Sequence, residues 1–516
     1  MVTKKINQKK TKFKSKSNIF NNLTEDSKIL INYLLTLNKK FVIKKTDNLG
    51  NLLNYLFKNY NDFAKTKINL VKKPIESKNQ RDVFLDNIDT CSRKSYKRDY
   101  LLNVEVILKF LNENHKELLL KMLNLHKYEE GKKKQLLSFI DNLGTYDKDY
   151  VFDWMNQNGI ELMRSLYIFL LNNKLPEEVY KIVGGEREIY GEFTSLDIQE
   201  EIELSLPYKK EILYKMNNVE LNLVINSKNK MKITEDFLRR SFFLSFLTGN
   251  SKDINIKLWL SKIKKYLPKP RDDLFLGPKE VNSGCSSAYE ITLWRKEEIS
   301  KILIHEVIHH LSLERIPNLM EIQEYFYSKF DIKRNVRINF FESYTEMWTN
   351  ILNIFMIGKN LKKSNKKSNK KSLNKTNDIL KLLNIELLFS LFQCAKVLNF
   401  FGYSSFSEFY KNEGFSEEGK SDKFKQRSNV FSYYIGRTLL FYNFDMFLKM
   451  CYTYNINMIV DNKIPASKFI ELMENTINNT DYISKIDSLI KIIKTRQKQN
   501  DLIMRTMRFT VMEVKI

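Results

Sequence analysis

Three of the chain's five histidines fall in one stretch, Lys301-Ile302-Leu303-Ile304-His305-Glu306-Val307-Ile308-His309-His310-Leu311. Apolar residues at Ile299, Ile302, Leu303, Val307, Ile308 and Leu311 recur at helical spacing, which predicts an amphipathic helix. On such a helix His305 and His309 stand about 40° apart around the axis, so both imidazoles reach one ion from one face. Glu306 is placed to act on a water at that ion rather than to complete its ligand set. His310 points about 100° away from His309 and is expected to pack or to support from outside. A buried helix whose histidines are satisfied by ordinary hydrogen bonds would carry the same letters. A third protein ligand and an open position distinguish a catalytic metal site from that alternative.

Further on, Asn339-Phe340-Phe341-Glu342-Ser343-Tyr344-Thr345-Glu346-Met347-Trp348 leads into Ile351, Leu352, Ile354 and Phe355, a second buried helix. Glu342 and Glu346 share one side of it, and burying two acids is costly without a cation or hydrogen-bond donors. H-E-x-x-H followed by a helix bearing E-x-x-x-[D/E] resembles the gluzincin metallopeptidases, the thermolysin-like and lethal-factor-like group. The resemblance implies one Zn2+ per chain, held by His305, His309 and Glu342, with Glu346 orienting a ligating histidine through its other ring nitrogen. A competing local reading makes Glu342 the N3 residue of a capping box with Asn339 as N-cap. That reading leaves Glu346 unexplained.

The elements that must position these residues read as follows. Val219 to Asn226 alternates as a strand, Ile233 to Leu247 reads as a helix with Thr234 as N-cap, and Ile254 to Leu260 alternates again. After an Asn282-Ser283-Gly284 turn, Tyr289 to Trp294 reads as a third strand that runs through Arg295-Lys296-Glu297-Glu298 into the motif helix. This order resembles the zincin core, in which the last strand is an open edge that pairs with an extended substrate. The Asn282-Ser283-Gly284 turn, Arg295 to Glu298 ahead of His305-Glu306, and Ser428-Asn429-Val430-Phe431-Ser432-Tyr433-Tyr434-Ile435 also resemble putative metallopeptidases of giant DNA viruses, over roughly 218–450. The expected fold is α+β and predominantly helical. Residues 1–25 form a disordered basic arm, 26–215 a mostly helical N-terminal domain, and 216–460 a zincin-like domain. A Lys/Ser/Asn-rich disordered insertion at 359–376 interrupts that domain, and 461–516 is a helical C-terminal element. His115 and His126, with no partner at ligand spacing, read as surface or structural residues.

Zinc peptide hydrolysis builds negative charge on the carbonyl oxygen, which a hydroxyl or guanidinium opposite the metal would stabilise. No histidine follows His310, so Tyr433, Tyr434 and Arg437 are the candidates, with Tyr434 preferred. The expected reaction is hydrolysis of a peptide or protein substrate with Glu306 as general base. Two alternatives stay open: an inactive zincin-fold scaffold or basic virion or nucleic-acid-associated protein, and a zinc hydrolase of non-peptide amides. The formal charge of +25 is concentrated partly in Lys4–Lys16 and Lys359–Lys375. These runs are read as solvated segments with at most weak affinity for nucleic acid or another polyanion. No apolar stretch reaches the ~20 residues of a membrane span and no secretory signal opens the chain. Cys91, Cys285, Cys394 and Cys451 have neither disulfide-scaffold nor zinc-finger spacing. The expected location is intracellular, in host cytoplasm or virion if the chain is viral. A Gly-rich phosphate loop and a G-x-S-x-G elbow are both absent from the sequence.

Overall fold

We describe the protein from a computed structural model, over residues 20–37, 40, 42–75, 112, 116–125, 130–142, 194–205, 209–226, 233–269, 275–287, 289–359, 371–455, 458, 463–496 and 501–515. The basic arm up to residue 19, His115, His126 and most of the lysine-rich insertion lie outside these residues.

The fold is α+β, with helices around one small mixed sheet. Its strands are β1 (Asn69–Ile75), β2 (Lys209–Met216), β3 (Val219–Asn226), β4 (Ile254–Ser261), β5 (Gly284–Ser286) and β6 (Ile291–Arg295), in the order β1-β2-β3-β4-β6-β5. β1, β2 and β3 pair antiparallel, β3, β4 and β6 pair parallel, and β5 closes the far edge antiparallel to β6. A parallel pair needs a crossover. Between β3 and β4 the helix Glu235–Thr248 supplies it, started by the Thr234 side chain accepting from Phe237 N–H and stopped by Gly249 at φ 67°.

The structure adds detail to two expectations and corrects one, the position of the edge strand. β1 and β2 come from the stretch read as mostly helical. In β2, Lys-Lys-Glu-Ile-Leu-Tyr-Lys-Met carries charges that mask its alternation. Ile291–Arg295 is an inner strand, fully buried, and the edge is the three-residue β5. Tyr289, taken as part of that strand, is 72% exposed ahead of it. Lastly, the C-terminal element is helical over Ala466–Ile477 and Thr480–Arg496, but Thr506 to Met512 is a buried, non-helical strap.

One apolar cluster runs from Leu23 to Met512 and includes helices Glu25–Thr36 and Asp47–Lys65 together with the sheet. Helix Lys371–Phe400 begins inside the stretch read as a disordered insertion. Among the described residues no helix is long and apolar enough to cross a membrane.

Candidate metal centre

Helix Ile299–His310 is buried on nearly every side, which is why its sequence is apolar beyond one face. It starts after Glu298, held in a left-handed conformation at φ 61°. Glu298 N–H donates to Glu513 Oε1 (2.8 Å), its Oε1 accepts from Thr510 N–H (2.6 Å), and its Oε2 pairs with buried Lys265 (2.5 Å). The C-terminal strap thus fixes where the motif helix begins. Against it packs helix Phe341–Lys359, buried from Glu342 to Gly358.

Their crossing brings three ligand atoms together. His305 Nε2 and His309 Nε2 stand 3.0 Å apart, and Glu342 Oε2 lies 3.2 Å from the first and 3.3 Å from the second. A tetrahedral site with bonds of about 2.0–2.1 Å has donor–donor edges of about 3.3 Å, so the triangle matches one face of a zinc polyhedron. Among the described residues no fourth His, Cys, Asp or Glu joins this set. Each ligand is also gripped from behind. His305 Nδ1 lies 2.8 Å from Glu346 Oε1, a short contact though not a well-aligned hydrogen bond. His309 Nδ1 bonds Glu314 Oε1 (3.0 Å), and Asn429 Nδ2 donates to Glu342 Oε1 (3.2 Å). Such outer partners fix tautomer and orientation in metal sites.

Glu346 is itself bracketed by buried Lys301 and by Arg437 Nη1 (3.2 Å), and Arg437 Nη1 also donates to Phe509 O (2.6 Å). Burial would raise the Glu346 carboxyl, but Lys301, His305 and Arg437 hold it well below the carboxylate range. Burial likewise works against Glu342, and His309 and His305 outweigh it, bringing it to about 2. His309 is pushed the other way: burial would lower it, yet Glu342 and Glu314 carry it well above the imidazole range. Both shifts have one cause, the close approach of the carboxylates and the imidazoles, which favour opposite charges on one another. Glu306 differs from all of these. It is 4% exposed, and burial raises its carboxyl against the pull of both histidines.

The capping-box reading of Glu342 does not describe this geometry. Asn339 Nδ2 donates to Asn429 Oδ1 (3.0 Å) while Glu342 turns to the histidines. Tyr434 is not at the centre: its hydroxyl donates to Met507 O (2.6 Å) and its ring packs on Phe509. Its neighbour Tyr433 stands edge-on to His305 with ring centroids 6.1 Å apart. Burial first, then the charges of Glu342 and Glu306, drives the Tyr433 phenol well above its ordinary range. Arg437 reaches Glu346 rather than the three candidate ligand atoms. His310 accepts the outside role, with Nε2 2.8 Å from Asp253 O.

Sequence reasoning missed Glu314, Asn429 and Lys301. Lys301 left a readable trace, a lysine four residues before His305 on an otherwise apolar helix. Glu314 left none beyond being polar, and Asn429 stood only within the Ser428 to Ile435 stretch, with no role of its own.

No family model matches the chain, and no solved structure matches it. It is similar to "Uncharacterized protein R210" of Acanthamoeba polyphaga mimivirus, 28% identical over 218 residues, covering 41% of this chain and 50% of that protein. The chain thus spans about half the length of that relative. A giant-virus relative agrees with the viral resemblance of the sequence, and its name assigns no activity.

Proposed function

We propose that this chain is a zinc-dependent peptidase of the gluzincin type. The observation that carries the reading is the His305–His309–Glu342 triangle at tetrahedral spacing, each member held from behind by its own partner. Zinc held there by His305, His309 and Glu342 would supply Lewis acidity towards a water and a carbonyl oxygen. The protein's own residues do the rest. Glu306, whose carboxyl burial raises above its ordinary value, takes the proton of the attacking water and returns it to the leaving amine. Tyr433, beside His305, donates its phenolic hydrogen to the carbonyl oxygen as charge builds there. Glu346 and Glu314 keep each histidine's Nε2 turned to the centre. β5, the last strand of the sheet among the described residues, would offer backbone groups to an extended chain.

The test is Glu306→Gln measured beside His305→Ala, with zinc content and hydrolysis of a mixed peptide library as readouts. The expected result is one zinc and no hydrolysis in the first variant, and no zinc in the second. Wild type that holds no zinc, or Glu306→Gln that hydrolyses peptides like wild type, overturns the proposal. Hydrolysis of small amides with peptides untouched replaces the peptidase by an amidase.

A further inference from the structure

Resting on the metal-centre reading, we propose that Ser428-Asn429 is a positioning element that keeps Glu342 on the metal through one oxygen and ties it to the segment entering the edge strand. A carboxylate beside a cation can bind through one oxygen or both, and the choice sets how many corners stay open. Here the two oxygens of Glu342 are separated: Oε2 faces the imidazoles while Oε1 accepts from Asn429 Nδ2 at 3.2 Å. The carboxylate only accepts, which turns the Asn429 NH2 group towards it, and the amide is held at its other end as well. Asn339 Nδ2 donates to Asn429 Oδ1 at 3.0 Å, so only the NH2 group is left to face Glu342.

The backbone of Asn429 serves the same site. Its carbonyl accepts from Tyr433 N–H (2.9 Å), at the head of a π-helical turn, Phe431–Gly436, that presents the Tyr433 ring to His305. π-turns recur at functional sites because the extra residue re-aims a side chain. Ser432 Oγ donates to Asn339 O (2.7 Å) and Ser343 Oγ to Ser432 O (3.0 Å), which locks the turn to the Glu342 helix. On the other side Ser428 Oγ donates to Asn282 Oδ1 (2.6 Å), two residues before β5. One dipeptide therefore joins the third ligand, the tyrosine and the approach to the edge strand.

The experiment loads wild type, Asn429→Leu, Asn339→Ala and Ser428→Ala with Co2+. It reads affinity by chelator competition and coordination by visible absorption. Asn429→Leu keeps the size and removes the donor. It is expected to weaken Co2+ binding about 10–100-fold. Its absorption should also fall in intensity, as Glu342 swings to two-oxygen coordination. Asn339→Ala, which frees the amide to turn, should weaken binding by a smaller factor in the same direction, so the inference survives a misfolded Asn429→Leu. Ser428→Ala should keep Co2+ affinity and raise KM for peptides several-fold with kcat retained. Affinity and spectrum unchanged in both asparagine variants overturn the role of Asn429, and an unchanged KM overturns that of Ser428. Wild type that binds no Co2+ overturns the metal centre itself, a distinct result.

Discussion

Replacing Gly436 by alanine sets two effects against each other at the turn that carries Tyr433. Gly436 has helical angles, φ −56° and ψ −46°, so alanine should gain about 1 kcal/mol of helix propensity in open space. The space is not open. A Cβ there would stand under 3.0 Å from Ser343 Oγ and 3.3 Å from Ser343 Cβ. Overpacking of this kind costs about 1–3 kcal/mol, and displacing Ser343 breaks its hydrogen bond to Ser432 O, about 1 kcal/mol more. The steric side wins, and Gly436→Ala should destabilise by about 1–3 kcal/mol. Ser343→Ala alone should cost about 1 kcal/mol. In the double variant the obstructing hydroxyl is gone and the propensity gain returns, so it should lie close to wild type. The double-mutant cycle would then show a favourable coupling of about 2–4 kcal/mol. Urea unfolding of the four proteins measures it. A stabilised Gly436→Ala, or costs that add, would refute the packing argument.

Further outcomes follow from the same geometry. Burial pushes the Glu386 carboxyl up to about 7, against Arg437, Thr510 and Val511. The native state therefore holds a proton there that the unfolded chain releases near 4.5. Stability from this group is complete below that pH and lost as pH rises through about 7, an effect of about 3 kcal/mol. Glu386→Gln should remove that slope, seen as the wild-type-minus-variant difference in urea unfolding between pH 4.5 and 8, and a difference flat with pH contradicts it. Gly284→Val should dislodge the edge strand, since a Cβ would meet Leu293 Cδ2 at 2.7 Å, Thr292 O at 3.0 Å and Ile302 Cγ2 at 3.1 Å. Peptide KM should rise at least tenfold with zinc content kept, and an unchanged KM would detach β5 from substrate binding.

Much of the centre was legible because it is local. His305, Glu306 and His309 lie within one turn, and a helix fixes their relative angle whatever the rest of the chain does. Glu342 was reachable through the cost of burying it on an apolar helix. The choice between Tyr433 and Tyr434 was not, because adjacent residues differ by about 100° and the π-turn shifts that phase by a residue. Glu314 and Asn429 are single polar side chains whose roles exist only once distant segments meet. The strands divide in the same way. β3 and β4 show alternation in their own letters. β1 carries Pro74, which suits only the rim of a sheet, and it does lie at the rim, yet with charged β2 beside it nothing local announced the pair.

The candidate ligands come from two helices, but their aim depends on the far end of the chain. Phe509 packs against Tyr433 (ring centroids 4.8 Å), lies under the ammonium groups of Lys265 and Lys301, and offers its carbonyl to Arg437. Arg437 and Lys301 hold Glu346, and Glu346 faces His305. Next to it, Thr510 and Glu513 hold Glu298 at the start of the motif helix, while Arg508 reaches Ser27 of the first helix. Burying so many charges gains little stability over apolar packing, because desolvation offsets most of the attraction. What such a network does provide is direction, since a buried charge tolerates few partners and few angles. A strap that contributes no ligand thus sets the orientation of one histidine, one carboxylate and one tyrosine together. Changes within residues 506–513 should therefore appear first as altered metal binding and chemistry, ahead of any change in which substrates are accepted.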